Sequence, residues 1–225
     1  PPRPLPDLAS LVDQNGPAVV NISTTQAVPP RPGLPEMDEE GSPFNDFLRR
    51  YFGEDELPPE LFDNKSLGSG FLISPDGYIL TCAHVVENAT EIVVRLTDRR
   101  EFSARVVGAD GRSDVALLKI DGQEHMPTLP IGSNDTVSPG SAIHIVGFPA
   151  ASTFSAGLTR DAQVQPTVTE GPVTAIKSTR SGMPVFQTQA PASPGNSGGP
   201  VLTDDGSSVG VLVANAVENN GVAAQ

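Results

Sequence analysis

Short stretches in which apolar and polar residues alternate, each closed by a turn signal, run through most of this 225-residue chain. Alternation at a period of two turns one face of an extended segment to a core and the other to water, so the pattern predicts strands. Six segments come first: Ala18 to Thr24, Gly70 to Ile73, Tyr78 to Thr81, Glu91 to Leu96, Glu101 to Ala109 and Val115 to Ile120. Five follow: Ala142 to Gly147, Val173 to Lys177, Val185 to Gln189, Pro200 to Thr203 and Ser208 to Val213. Pro75-Asp76-Gly77, Asp110-Gly111 and Asp205-Gly206 have the residues that tight reversals demand, and Asn134 to Gly140 reads as a linker edge between the two sets. Many short strands separated by turns indicate an all-β sandwich or barrel. The exception is at the start, where Leu5, Leu8, Leu11 and Val12 recur at helical spacing and predict a short helix within Leu5 to Asn15.

The stretch from Pro29 to Phe62 fits neither pattern. It is rich in proline and acid, yet it holds Phe44, Phe47, Tyr51, Phe52 and Phe62, five of the eleven Phe and Tyr residues of the chain. A solvated loop rarely carries so many large apolar groups. Two readings follow, a satellite cluster folded over its own barrel or a regulatory or oligomer-contact loop.

The overall balance narrows the partners. A net charge of −13 repels phosphate backbones and argues against nucleic-acid binding. No apolar run approaches the ~18–20 residues that cross a bilayer, and the proline-rich start lacks the apolar core of a signal peptide, so a processed chain without a membrane span is expected. With one cysteine there is no internal disulfide, and stability must come from packing.

Candidate chemistry is concentrated in three segments: Thr81-Cys82-Ala83-His84, Ser113-Asp114-Val115 and Ser193-Pro194-Gly195-Asn196-Ser197-Gly198-Gly199-Pro200. A serine hydroxyl is a weak nucleophile at neutral pH until an imidazole removes its proton, and a carboxylate must hold that imidazole in the right tautomer. The catalytic set is therefore expected to be His84, Asp114 and Ser197. Glycines around the serine let the backbone turn so that successive amides converge on one spot. The oxyanion hole is expected from Gly195, Asn196 and Ser197, with the amides of Gly195 and Ser197 as donors and Asn196 shaping the turn between them. Gly195 to Gly199 also satisfies the G-x-S-x-G pattern of α/β-hydrolases, but that fold places its acid and histidine after the serine, and no histidine follows Ser197. His125, in a polar stretch, and His144, inside an alternating strand, read as surface or packing residues. Cys82 reads as a small buried hydrophobe. No cofactor or metal is expected. As a general base His84 must be neutral, so the rate is expected to fall below pH ~6–7, where free imidazoles protonate.

In this order the segments resemble the HtrA (Deg) serine proteases, protein-quality-control enzymes of chymotrypsin type. Pro17 to Ile22, Leu67-Gly68-Ser69-Gly70-Phe71, Asp76 to Thr81, His84-Val85-Val86, Asp114 to Ile120 and Pro194 to Pro200 all match words of that family. The resemblance implies a pair of six-stranded antiparallel β-barrels with a short N-terminal helix and long loops. It implies one protease domain over 1–225: an N-terminal arm over 1–16, a first barrel over 17–130 that includes loop 29–63, and a second barrel over 131–225, with no PDZ domain in this chain. The expected function is a serine endopeptidase that cleaves unfolded or misfolded polypeptides through an acyl-enzyme. The alternative is a chaperone or peptide-binding module with little turnover. The family further implies a periplasmic location, with the signal peptide already removed, and a homo-trimer or larger homo-oligomer.

Two departures bear on specificity. Phe148-Pro149 opens an enlarged loop that runs to Pro166, and Val211 to Asn215 replaces the usual segment after Gly210. That segment is expected to form one wall of the substrate cleft, against which substrate pairs as an added strand. Ala192, Leu212, Val213, Ala214 and Asn215 are the expected substrate-binding residues. Trypsin-like enzymes that cut after Lys or Arg carry an Asp six positions before the nucleophile, where this chain has Pro191. An apolar pocket that selects small or medium aliphatic residues is expected instead.

Overall fold

In the computed structural model, residues 8–26, 65–150 and 158–213 are described. The first six strands, β1 (Val19–Gln26), β2 (Lys65–Leu72), β3 (Tyr78–Cys82), β4 (Ala89–Arg95), β5 (Glu101–Asp110) and β6 (Val115–Ile120), close into a barrel in the order β1-β2-β3-β6-β5-β4. Each pairing is antiparallel. Closure follows from alternation: along β6 the even positions Ala116, Leu118 and Ile120 are buried and the odd ones only half-buried, so one face fills the barrel. Ile22, Phe71, Leu72 and Ile79 complete that core. The β2–β3 turn forms where it is expected, with Gly77 at φ +98 after Asp76 and the Gly77 amide bonded to the Ser74 carbonyl.

The second unit contains β7 (Ala142–Gly147), β8 (Thr167–Ser178), β9 (Pro184–Thr188), β10 (Pro200–Leu202) and β11 (Ser208–Val211), in the sheet order β11-β10-β7-β8-β9. Among the described residues this is an open five-stranded sheet, where a second six-stranded barrel is expected from the resemblance. Residues after Val213, expected to belong to the same unit, lie outside the described residues. So does loop 29–63, and so does the part of the Phe148 loop at 151–157. β8 begins earlier than its apolar pattern suggests, because its first half pairs with β7 from Thr167 to Pro172 and only its second half pairs with β9.

Helix α1 (Leu8–Asn15) forms at the predicted helical spacing and buries Leu11. Two single-turn helices escape the periodicity: α2 (Ala83–Val86), which carries His84, and α3 (Arg160–Gln163), capped by the Thr159 hydroxyl. A helix of one turn is too short to show a repeat.

β7 joins the two units because it is buried on both faces. Ile143 and Ile145 pack with Val173, Val201 and Val209 in the second core, while Val146 joins the barrel core with Phe148 and Leu202. β1 and β2 touch β7, and β3 touches β11. His144 is fully buried within this strand, with Nε2 2.9 Å from Asp204 Oδ1 and Nδ1 3.9 Å from Glu170 on the paired strand. His125 is exposed, at φ +66. Replacing His144 with Ala removes a buried ring and the partner of Asp204, and is expected to lower stability by roughly 2–4 kcal/mol. Urea denaturation measures this; a change below about 0.5 kcal/mol would show that the ring is not holding the turn after β10.

Candidate active site

β3 ends at Cys82, and the chain turns directly into α2, so His84 projects from the rim of the first barrel rather than into its core. β6 begins one residue after Asp114, and the pairing of Cys82 with Val115 brings the Asp114 turn beside α2. Asp114 sits at φ +54, a region that Asp tolerates better than most residues. Its three acceptors all face α2. The carbonyl accepts from the Ala83 amide at 3.1 Å, Oδ1 accepts from the His84 amide at 2.9 Å, and Oδ2 lies 2.6 Å from His84 Nδ1. Partial burial pushes the Asp114 carboxyl up, but the hydrogen bond from the His84 ring, the His84 amide, the imidazole charge and the Ala83 amide together outweigh it, and the net shift is downward. An ionised carboxylate only accepts, so Nδ1 carries a proton, and in the neutral ring Nε2 keeps its lone pair. Nε2 is therefore the atom able to take up a proton.

The serine segment is fixed peptide by peptide. Ser193 to Asn196 form a reverse turn closed by the Asn196 amide on the Ser193 carbonyl at 3.0 Å, with Pro194 and Gly195 (φ +93) in its central positions. Proline presets the first of these, and only glycine takes the second without strain, as in a type II turn. The Pro194 carbonyl accepts from the Ala150 amide at 2.8 Å, and the Asn196 carbonyl from the Gly199 amide at 2.9 Å. In a trans peptide the C=O and N–H point in opposite directions. The amides of Gly195 and Ser197 are thus turned away from those anchors. The Asn196 amide is consumed by the turn, and its buried Oδ1 has no partner among the described residues.

This segment packs against the turn that carries His84. A methyl added to Gly68 would lie 2.7 Å from the Val85 side chain and 3.1 Å from the Ser197 carbonyl, so the residue after His84 borders the residue proposed as nucleophile. Gly198 (φ +87) presses still closer: a methyl there would meet Thr81 Oγ1 at 2.3 Å and the Cys82 amide at 3.0 Å. The β3–α2 turn that carries the His84–Asp114 pair and the segment that carries Gly195, Asn196 and Ser197 thus border each other at the junction of the two units.

The expected cleft wall is described in part. Leu212 is buried in the second core; its amide donates to the Gly199 carbonyl, and its own carbonyl accepts from the Gly198 amide at 2.8 Å and from the Cys82 thiol at 3.2 Å. The wall is thereby tied to the serine segment through main chain. Val213 and Ala192 are partly buried, and Ala214 and Asn215 lie outside the described residues. Cys82, His84 and Asp114 place one potential ligand atom each within 4.8 Å of one another. Their chemistry does not suit a metal: His84 Nδ1 and Asp114 satisfy each other, and burial, followed by the Asp114 charge, pushes the Cys82 thiol far above its usual range. A metal site needs deprotonated ligands, and this thiol stays protonated as a donor.

A residue absent from the sequence reading stands behind the turn. Ser69, in the Leu67 to Phe71 segment, is fully buried. A serine between two glycines, flanked by Leu67 and Phe71, signals a buried hydroxyl that must find partners.

Two stacked β units with an acid–imidazole pair on one and a glycine-framed serine on the other define a chymotrypsin-type hydrolase architecture. Residues 68–211 match the trypsin-like peptidase domain, and the chain belongs to that family. Within it, the relatives are of HtrA type. A probable periplasmic serine endoprotease, DegP-like, of Marinomonas sp. (strain MWYL1) is 40% identical over 217 residues, covering 92% of this chain and 44% of that protein. The DegP-like protein of Ectopseudomonas mendocina (strain ymp) is 41% identical over 217 residues, with 92% and 43% covered. The solved structure of the HtrA-type protease AlgW with a tripeptide superposes with a TM-score of 0.65 at 30% identity, over 92% of this chain and 54% of that one. The chain spans less than half the length of the curated relatives it matches.

Proposed function

We propose that this chain is the proteolytic unit of a periplasmic serine endopeptidase that cleaves unfolded polypeptides. The observation that carries this reading is the 2.6 Å contact of His84 Nδ1 with Asp114 on the rim against which the Ser197 turn packs. Ser197 Oγ attacks the scissile carbonyl carbon while His84 Nε2 takes its proton. The oxygen of the tetrahedral intermediate receives the amides of Gly195 and Ser197, each able to stabilise it by about 3–4 kcal/mol. His84 then returns the proton to the leaving amine, the C–N bond breaks, and an acyl-enzyme remains. Water, deprotonated by the same imidazole, attacks the ester and releases the new carboxylate. Asp114 holds the ring throughout and stays ionised.

An extended substrate is proposed to lie along the segment after Gly210, with its side chain in a pocket near Ala192, Leu212, Val213, Ala214 and Asn215. Pro191 offers no charge to a Lys or Arg side chain. The relatives are named periplasmic, and no helix among the described residues is long and apolar enough to cross a membrane. Association into a homo-trimer or larger homo-oligomer, with 1–16 as a contact arm and 17–130 and 131–225 as the two barrel regions of one domain, completes the proposal.

Digestion of unfolded casein, with every new terminus sequenced, tests the substrate class. Cuts after small or medium aliphatic residues, at a rate at least tenfold above that for a stably folded protein, are expected. Preferential cutting after Arg would overturn the pocket assignment, and equal cutting of folded protein would overturn the preference for unfolded chains.

A further inference from the structure

The four carbonyls from Pro194 to Ser197 are all held, and Ser69 takes two of them. Its hydroxyl donates to the Gly195 carbonyl at 2.7 Å, and its amide donates to the Ser197 carbonyl at 2.8 Å. The same hydroxyl accepts from the Phe148 amide at 2.9 Å, and the Ser69 carbonyl accepts from Thr81 Oγ1 at 2.7 Å. Phe148 lies two residues before Ala150, whose amide holds the Pro194 carbonyl. Thr81 lies on the strand that runs into His84. One fully buried residue on β2 of the first barrel therefore meets three separate segments of the site: through its hydroxyl the serine turn and the loop after β7, and through its carbonyl the strand before the imidazole.

We propose that Ser69 is a positioning residue for the oxyanion turn. This inference rests on the peptidase reading above. By taking the carbonyls of Gly195 and Ser197 from behind, Ser69 fixes the peptides on either side of the Ser197 amide. Through Phe148 it also steadies the loop that anchors the Pro194 carbonyl and so aims the Gly195 amide. Without the hydroxyl, the Gly195 carbonyl and the Phe148 amide both lose a buried partner, and rotation of the turn is the route by which they can find others. Such a rotation moves the two donors away from the developing oxyanion while leaving His84 and Asp114, which Ser69 does not touch, as they are.

Kinetics of Ser69→Ala on a fluorogenic peptide test this. A fall in kcat of about 10²-fold is expected, the size of losing one well-placed oxyanion donor, with KM changed by less than about threefold. The acid limb of the pH–rate profile is expected to stay where it is in the unsubstituted chain. A merely structural role would not give that combination: general loosening would move the acid limb through the His84–Asp114 pair. Ser69→Cys keeps the size with a weaker donor and is expected to fall between Ala and Ser; it carries the test by itself should Ser69→Ala not fold. Full kcat in either variant, or a displaced acid limb, overturns the proposal. Failure of the unsubstituted chain to react with a fluorophosphonate at Ser197 would instead remove the peptidase reading, and this inference with it.

Discussion

Ser197→Ala is expected to lower peptide-bond cleavage by roughly 10⁶-fold, to the residue of rate that binding and the oxyanion donors supply alone. The magnitude follows from the role: without Oγ there is no atom to form the acyl-enzyme, and the water that replaces it is neither placed nor deprotonated in the same geometry. The substitution removes one oxygen from a buried site, and the main-chain bonds of the turn do not involve it, because the Ser197 carbonyl remains on Ser69 and the Gly198 amide remains on Leu212. The fold and the affinity for unfolded polypeptide should therefore persist. Casein cleavage and fluorescence-detected binding, measured side by side, separate the two functions. Lost cleavage with retained binding would show a protease that also holds its substrate, whereas unchanged cleavage would remove Ser197 as nucleophile.

Asp114→Asn is expected to lower kcat by about 10⁴-fold with little change in fold. Both carboxylate oxygens are engaged as acceptors, Oδ1 from the His84 amide and Oδ2 from the His84 ring. An amide group has only one oxygen. If its nitrogen faces the backbone, two donors confront each other; if it faces the ring, Nδ1 must accept, the proton moves to Nε2, and the base is lost. The pH dependence carries a sign as well. The Asp114 carboxyl is held below the usual carboxylate range, so its contribution to stability is fully present above about pH 4 and is lost as pH falls through its lowered value. The Asn variant lacks this dependence, and the stability difference between the two proteins should narrow as pH drops below about 4. Activity near neutral pH together with urea denaturation at several acidic pH values checks both statements.

What was legible in the sequence was whatever depends on neighbouring residues. Strand positions followed from alternation, as at β6, where Ala116, Leu118 and Ile120 point inward. The β2–β3 turn follows from Pro75-Asp76-Gly77, and a tight turn at the serine follows from the glycines around Ser197. His84, Asp114 and Ser197 stand out as candidates because the chemistry of a serine nucleophile allows few combinations and chain order excludes the hydrolase alternative. What was not legible depends on segments far apart in the chain. The hydrogen bond from Ser69 to Gly195 spans 126 positions, and no local pattern encodes it. The buried setting of His144 depends on Glu170 and Asp204 arriving from two other segments. The Gly171-Pro172 pair interrupts the alternation and hides the first half of β8, although pairing with β7 continues through it.

Reaction with a fluorophosphonate probe, followed by digestion and mapping of the modified peptide, tests the central claim most directly. The probe phosphonylates a serine only when a neighbouring base activates it. The expected result is a single modified residue, Ser197, in the folded protein, with labelling abolished by heat unfolding and by His84→Ala. A protein that cleaves peptides while Ser197 stays unmodified, or a label that persists without His84, would contradict it.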